Sequence, residues 1–443
     1  MPAPAAQIVT LFEAGQLIAS DRYLWARPND DLALVGLGHA WTLDVLEASR
    51  FRQAARAWQH LISGAIGDGQ PGLPGVGPIL MGGFSFDAVR PASRLWQNYP
   101  PGHLVLPRLM ATRTRGQTWV TYNALVSAAS DPEMEAAALA SLSEQWFGSG
   151  AMTAPGSNDD LSGGGAGQAP VSEEELRPAA EWQTDVSNAI DAIRRGELEK
   201  VVLARGVQLR SAQSFSAQRA LQHLAAHYAD CTLFAVARGA SCFLGATPEQ
   251  LVRLRDGEVK AMSLAGSIGR GQTPEEDERL AHTLLDSAKD RREHAVVVNA
   301  MLEALGKVCS RLDVSQTPSI LKLDNIQHLY TPLTGWLADG HTLLNLVEQL
   351  HPTPAVGGRP RNAALRLIRE CEKLDRGWYA GPVGWLDRQG EGEFSVAIRS
   401  ALLHANVATL FAGCGIMADS DPEREYAESR LKLAPMLAAL TGQ

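Results

Sequence analysis

The sequence predicts a mixed α/β fold, and three observations carry that reading. Apolar runs of strand length recur between Gly-containing turns. Stretches with helical periodicity alternate with them. Of the 443 residues 45% are hydrophobic, enough for the core of two ordinary domains or one large one.

In chain order, residues 32–35 form a first strand run leading into Gly36-Leu37-Gly38, a helix follows over 46–61, and 78–87 (PILMGGFSFD) reads as a buried strand. The runs 104–113 and 118–126, on either side of Arg115-Gly116-Gln117, carry a β-hairpin signal, and a helix over 132–146 closes the N-terminal part, residues 1–147. Residues 148–171 turn to Gly, Ser, Ala, Asn and Asp, the composition of a flexible linker. Such a linker does not have to separate independent domains, because strands on either side can join one sheet. In the remainder, 172–443, a helix over 178–195 ends at Gly196 and 200–210 is a β run. Strand runs at 231–237 and 242–246 precede a hairpin, 250–255 and 258–265, around Asp256-Gly257. Thr273-Pro274-Glu275-Glu276 is a capping box, and the helical pattern behind it runs to 307, long enough to predict a break near Asp286-Ser287. Late strands are expected at 380–387, 393–403 and 407–413. A last helix follows, with Asp421 as N-cap and Pro422 at its first position.

Composition excludes several classes of function. The net charge of −9 is dispersed, without a basic block or an aromatic-interleaved basic patch, so no nucleic-acid partner is expected. Five cysteines, an odd number without a CxxC pair, fit neither a disulfide framework nor a zinc knuckle and read as reduced core residues. The first eight residues lack a signal-peptide pattern, and no stretch reaches the roughly 18 apolar residues of a membrane span. A cytoplasmic protein without membrane contact is expected. Nothing marks an oligomer interface, and a monomer is expected.

Charged residues in apolar or helical settings are the candidates for chemistry. On the last helix Glu425, Glu428 and Lys432 fall within an arc of about 60°, either a salt-bridged surface or half of an oxygen-ligand metal site. Asp290 and Glu293 share a face in the same way. Two acidic pairs brought together would repel unless a cation neutralised them, and Mg²⁺ suits carboxylates that must also admit an anionic substrate. The alternative is that both pairs are surface acids. Lys200 opens a strand, the position of a solvated edge charge, or of a general base if its surroundings lower its pKa. Glu249 sits in a turn between strands, where a surface role is the plain alternative. The clusters 265–271 and 413–415 offer backbone N–H groups to an anion but match no nucleotide-binding fingerprint. Arg399, read as a charge inside an apolar strand, needs an acidic partner and is the best single candidate for clamping a substrate carboxylate.

Together these stretches resemble the chorismate-utilising enzymes, a family of isochorismate, salicylate, anthranilate and aminodeoxychorismate synthases. The resemblance rests on KVVLAR (200–205), FLGATPE (243–249), LAGS (264–267), SAKDRREH (287–294), HLYTPL (328–333), LHPTPAVGG (350–358), YAGPVGW (379–385), GEFSVAIR (392–399), AGCGI (412–416) and DPEREYAESRLK (421–432), in family order. The run 82–87 (GGFSFD) also looks like the N-terminal half of isochorismate synthases. The resemblance implies an anthranilate synthase component I-like α/β sandwich with large antiparallel sheets and outer helices, to which both sides of the linker contribute. It implies that Glu293 and Glu428 ligate Mg²⁺, with Asp290 and Glu425 holding its waters. Tyr379, Arg399 and Gly413 would hold the enolpyruvyl carboxylate of chorismate, Gly266, Ser267 and Lys432 would lie near the ring carboxylate, and His328 against the ring.

Within the family the nucleophile divides the members. Ammonia-using members carry a non-basic residue at the Lys200 position, whereas water needs a base, which Lys200 can supply while Glu249 protonates the departing 4-hydroxyl. Isochorismate formation is therefore expected, with no amidotransferase partner. The covalent-lysine variant of the LAG motif is closed, since Ala265 stands there. Salicylate synthase is the alternative; its members tend to carry a hydroxyl residue where this chain has Ala355. Whether the product feeds menaquinone or siderophore synthesis is left open, with the N-terminal resemblance leaning to menaquinone.

Overall fold

Two antiparallel sheets, each buried on its inner face against the other, set the position of every other element. The structure, a computed structural model, describes residues 4–67, 72–89, 93–148, 171–315 and 317–442. Among these, an 11-stranded sheet runs from Gly358–Arg359 through Lys200–Arg210, Val407–Ile416, Ser400–His404, Ser241–Thr247, Thr232–Arg238, Arg22–Arg27 and Leu32–Leu37 to Leu109–Thr114 and Gln117–Tyr122, with Ser172–Glu175 beside Lys200–Arg210. The 10-stranded sheet runs from Cys309–Val314 through Ile326–Leu337, Glu258–Gly269, Gln250–Arg255, Gly392–Val396, Pro382–Asp387, Ile79–Phe84 and Gly102–Leu106 to Trp41–Asp44, with Ser319–Lys322 beside Ile326–Leu337. Both sheets draw strands from either side of the predicted linker, of which residues 149–170 lie outside the described part.

The period of two in a strand sorts side chains between two cores. In Arg22–Arg27, Tyr23 and Trp25 enter the core between the sheets, while Leu24 and Ala26 join a second core. There the helices Pro4–Ala14, Ala217–His227 and Pro422–Thr441 cover the outer face of the larger sheet. With both faces covered, such strands read as continuous apolar runs rather than as alternating ones. The five cysteines are free, and among the described residues no helix is long and apolar enough to cross a membrane.

Local signals held. The hairpin pairs Leu109–Thr114 with Gln117–Tyr122, and the long helical stretch breaks at Ser287, whose side chain accepts the N–H of Asp290 at 3.2 Å to start the helix Ala288–Leu305. Two apolar runs read as single strands are each divided between the sheets. The run 104–113 splits at Pro107, which has no N–H for a ladder, leaving Gly102–Leu106 in the smaller sheet and Leu109–Thr114 in the larger. The run 393–403 splits likewise into Gly392–Val396 and Ser400–His404. Arg399 is therefore not inside a strand but at a crossover, in the left-handed region at φ 51°. The helices Pro4–Ala14, Ala217–His227, Leu343–Leu350 and Arg361–Cys371 and the strands Arg22–Arg27, Cys309–Val314, Ser319–Lys322 and Ile326–Leu337 carried no signal strong enough to be read from the sequence.

Trp96 plugs the inter-sheet core, stacked with Phe411 at 5.6 Å and edge-on to Phe243 at 5.1 Å. Gly377 packs against its ring: a Cβ there would lie 2.0 Å from Trp96 Cδ2, and φ is +50°. Gly377→Ala is expected to cost at least about 3 kcal/mol, from overpacking and backbone strain together. Chemical denaturation measures it, and a wild-type midpoint would mean that the Trp96 stack yields without cost.

Candidate active site

The residues singled out from the sequence converge on one cleft between the sheets, with about 900 Å³ of empty volume including open solvent. Lys200, Glu249, Gly266, Ser267, Asp290, Glu293, His328, Ala355, Tyr379, Arg399, Gly413, Glu425, Glu428 and Lys432 all line it. Strands Lys200–Arg210 and Val407–Ile416 form one wall and Glu258–Gly269 with Ile326–Leu337 another, and the helices Ala288–Leu305 and Pro422–Thr441 supply the acidic face.

Lys200 is not the solvated edge charge its position suggests. Its side chain is 1% exposed and its Nζ lies 2.8 Å from Glu293 Oε1. The pair passes over Gly415, where a Cβ would stand 2.4 Å from that carboxylate oxygen and 2.8 Å from Lys200 Cε, so only glycine leaves it room. Glu249, just past strand Ser241–Thr247, is buried, and burial lifts its carboxyl to about 7 against the pull of Lys200, Lys432 and Arg399. A group that titrates near neutrality can hold or release a proton. His328 is driven the other way, to about 3, by burial and then by Arg399 and Lys432, so it stands as a neutral ring.

Arg399 is the buried cation that a bound anion would satisfy. Its Nη1 donates to Lys432 O at 3.3 Å, but among the described residues it forms no ion pair, and burial lowers its pKa. Tyr379 lies over Phe411 at 5.1 Å, its hydroxyl beside Gly413 and its pKa pushed up to about 12 by burial. Lys432 Nζ donates to Gly413 O at 3.1 Å and contacts Glu428 Oε1 at 2.7 Å; burial disfavours its charge, but Glu428 outweighs that and raises its pKa.

The acidic face is crowded. Glu428 also accepts from Ser267 Oγ at 3.0 Å, and Glu425 meets Lys289 Nζ at 3.2 Å. Asp290 is hydrogen-bonded to the Ser287 hydroxyl. Burial raises the carboxyls of Asp290 and Glu425, and neighbouring carboxylates raise them further. One ligand atom each from Cys414, Glu425 and Glu428 falls within 4.8 Å of the others. Burial holds the Cys414 thiol well above its usual pKa, and it donates to Glu425 O at 3.1 Å, which leaves oxygens as the donors. A cluster whose donors are carboxylate oxygens fits a hard divalent cation rather than a thiophilic one. Some lining residues were given another role or none by the sequence reading: Lys289 stood inside SAKDRREH and could have been found there, Gly415 was read only as part of an anion-binding glycine cluster, and Arg376 takes its meaning from tertiary contacts alone.

The chain is similar to known proteins over nearly its whole length. The chorismate binding enzyme family matches residues 1–441. The salicylate biosynthesis isochorismate synthase of Pseudomonas aeruginosa is 41% identical over 417 residues, 94% of this chain and 84% of that protein. Isochorismate synthase MenF of Bacillus subtilis is 35% identical over 428 residues, 96% of this chain and 88% of that one. Among solved structures, the menaquinone-specific isochorismate synthase MenF of Escherichia coli superposes with a TM-score of 0.77 at 26% identity, covering 97% of this chain and 91% of that one. Anthranilate synthase component I of Streptococcus pneumoniae shares the fold, with a TM-score of 0.73 at 20% identity, covering 92% of each chain.

A buried cation without an anionic partner costs stability that a ligand would return. Arg399→Met is therefore expected to leave the melting temperature of the ligand-free protein unchanged or higher. A clear fall in thermal unfolding experiments would instead make the guanidinium a structural tie across the crossover.

Proposed function

This chain belongs to the chorismate-binding enzymes, and on that premise we propose that it is an isochorismate synthase, adding water at C2 of chorismate with loss of the C4 hydroxyl. The observation that carries the reading is that a buried lysine and a buried, near-neutral carboxyl, Lys200 and Glu249, share one cleft with Arg399, which forms no ion pair among the described residues. Arg399, Tyr379 and the backbone at Gly413 receive the enolpyruvyl carboxylate. Lys432, Gly266 and Ser267 flank the ring carboxylate, and the neutral His328 packs against the ring.

As the free amine, Lys200 Nζ takes a proton from the attacking water, and Glu293, 2.8 Å away, stabilises the ammonium that results, which is the ion-paired form of the empty cleft. Glu249 gives its proton to the departing 4-hydroxyl, which leaves as water, so one water enters and one departs. Glu293 and Glu428 would hold Mg²⁺, with Asp290 and Glu425 orienting its waters; when bound, the ion neutralises the ring carboxylate and polarises the ring for attack. Ala355 offers no hydroxyl to turn the enolpyruvyl group towards elimination, which favours stopping at isochorismate.

Purified protein incubated with chorismate and Mg²⁺, with and without ammonia, is expected to yield isochorismate in both cases and to lose activity on chelation. Anthranilate, or salicylate with pyruvate, as the main product would overturn the reading, and full activity after chelation would remove the metal from it.

Glu249 provides a pH test. Its acid form is the working one, present below about 7 and lost as the pH rises through it, so kcat/KM for chorismate is expected to fall on the alkaline side of that value. Glu249→Gln should lower kcat by a factor of about 100 or more and remove that limb. An unchanged profile in the variant would take the proton donor's role from Glu249.

A further inference from the structure

The strand that begins with Lys200 has an incomplete neighbour. Val407–Ile416 pairs with it along one edge, but the other edge meets Gly358–Arg359 at Lys200 and Val201, with Val202 N–H donating to Gly357 O at 2.8 Å, and meets Ser172–Glu175 from Val207 to Arg210, with Leu176 N–H donating to Gly206 O at 3.0 Å. Between those contacts the backbone crosses a dry interior, where unpaired peptide groups would be costly. Two side chains four residues apart, at and beyond the end of the helix Arg361–Cys371, stand where a strand would be. Glu372 Oε1 accepts from Ala204 N–H at 2.7 Å, and Arg376 Nη2 donates to Val202 O at 2.8 Å. They also bond each other, Arg376 Nε to Glu372 Oε2 at 2.9 Å, with side chains 2% and 1% exposed.

The same arginine reaches three further parts of the site. Its Nη1 donates to Val356 O at 2.8 Å, next to Ala355, and its carbonyl accepts from Tyr379 N–H at 2.9 Å. Its guanidinium lies 4.1 Å from the ring centroid of Phe86, in the N-terminal part of the chain. Although Arg376 lines the cleft, its donors are largely committed to Glu372, Val202 and Val356, so it is poorly placed to clamp a substrate anion. A buried ion pair is weak evidence for stability, because desolvation offsets the attraction. What this one supplies is direction: it fixes the spacing between the strand of Lys200 and the turn of Tyr379.

We infer that Glu372 and Arg376 are a positioning pair that holds Lys200 in reach of the water attacking a substrate anchored at Tyr379 and Arg399. The inference rests on the reading of Lys200 as base in an isochorismate synthase. Arg399, Lys432, Gly266 and Ser267 sit on elements the pair does not touch, and Tyr379 is held by the backbone carbonyl of Arg376, which a side-chain replacement keeps, so loss of the pair should displace the base while leaving substrate affinity nearly intact.

Arg376→Lys and Glu372→Gln, assayed well below their melting temperatures, are expected to lower kcat about 100-fold, the effect of misplacing a reacting group by about 1 Å, with KM changed less than about threefold. The apolar double replacement Glu372→Leu/Arg376→Met should keep much of the melting temperature while kcat stays low. In a Lys200→Ala background Arg376→Lys should cost nothing further, since the base through which it acts is gone. Three results would overturn the inference: single variants that lose melting temperature but not kcat, a KM that rises as far as kcat falls, or losses that multiply with Lys200→Ala. Should the double variant fail to fold, the single variants and the cycle with Lys200→Ala still decide. Wild-type protein that makes no isochorismate defeats the functional reading and this inference with it. Normal wild-type turnover with multiplicative losses defeats the positioning role alone.

Discussion

Charge taken out of water is the constraint on which this site depends, and the contact between Lys200 and Glu293 is its centre. Neither group could be buried alone, since an isolated charge in a dry interior would neutralise or drag in solvent. Pairing them requires the strand of Lys200 to lie beside the helix Ala288–Leu305 at a fixed height, and Gly415 must keep its bare Cα beneath the contact. The same requirement propagates outward. A fully buried strand start cannot leave its peptide groups bare, so its open edge is completed by Glu372 and Arg376, which in turn fix the loops on either side.

Interleaving of the two sheets is what brings opposite chemistry to one cleft. Gly392–Val396 and Ser400–His404 lie in different sheets, and the three residues between them carry the chain across the core. Arg399 takes its left-handed conformation in that crossing and is buried there, and among the described residues no carboxylate forms an ion pair with it. On the proposed reading the scaffold would thus hold a cation ready for an anion, the arrangement expected when a site is organised before its ligand arrives.

Much of the fold was legible because its signals are local. Ser287 interrupts a helical pattern with a cap, Asp421 and Pro422 start the last helix, and Arg115-Gly116 turns a hairpin; each needs only neighbours in sequence. The failures share a cause. Whether the apolar runs 104–113 and 393–403 continue or change sheets depends on which surface each end meets, and period-two reasoning is blind to that when every position is buried. Lys200 looked like an edge charge for the same reason, as its environment comes from residues nearly a hundred positions away. Family resemblance, not periodicity, named the site residues, and the structure explains why they must be read as a set.

The closing helix shows what the set adds. Its period placed Glu425, Glu428 and Lys432 on one face, which by itself suits a surface salt bridge. In the cleft those residues join Asp290, Glu293, Lys200, Lys289 and Arg399, so that four carboxylates stand against four cations. Arg376 and Glu372 cancel each other, and Glu249 is held near its neutral form. The cleft is thus formally balanced before any ligand arrives. Chorismate brings two carboxylates, and burying that charge alone would upset the balance in a medium that screens poorly. On the proposed reading a divalent cation entering with the dianion would restore it, and Asp290 and Glu425, whose carboxyls burial and then their neighbours already raise, would gain most from its arrival. In that reading the acidic pairs would act as a counterweight to the substrate as much as a ligand set, and their lysine partners hold them in place while the cleft is empty.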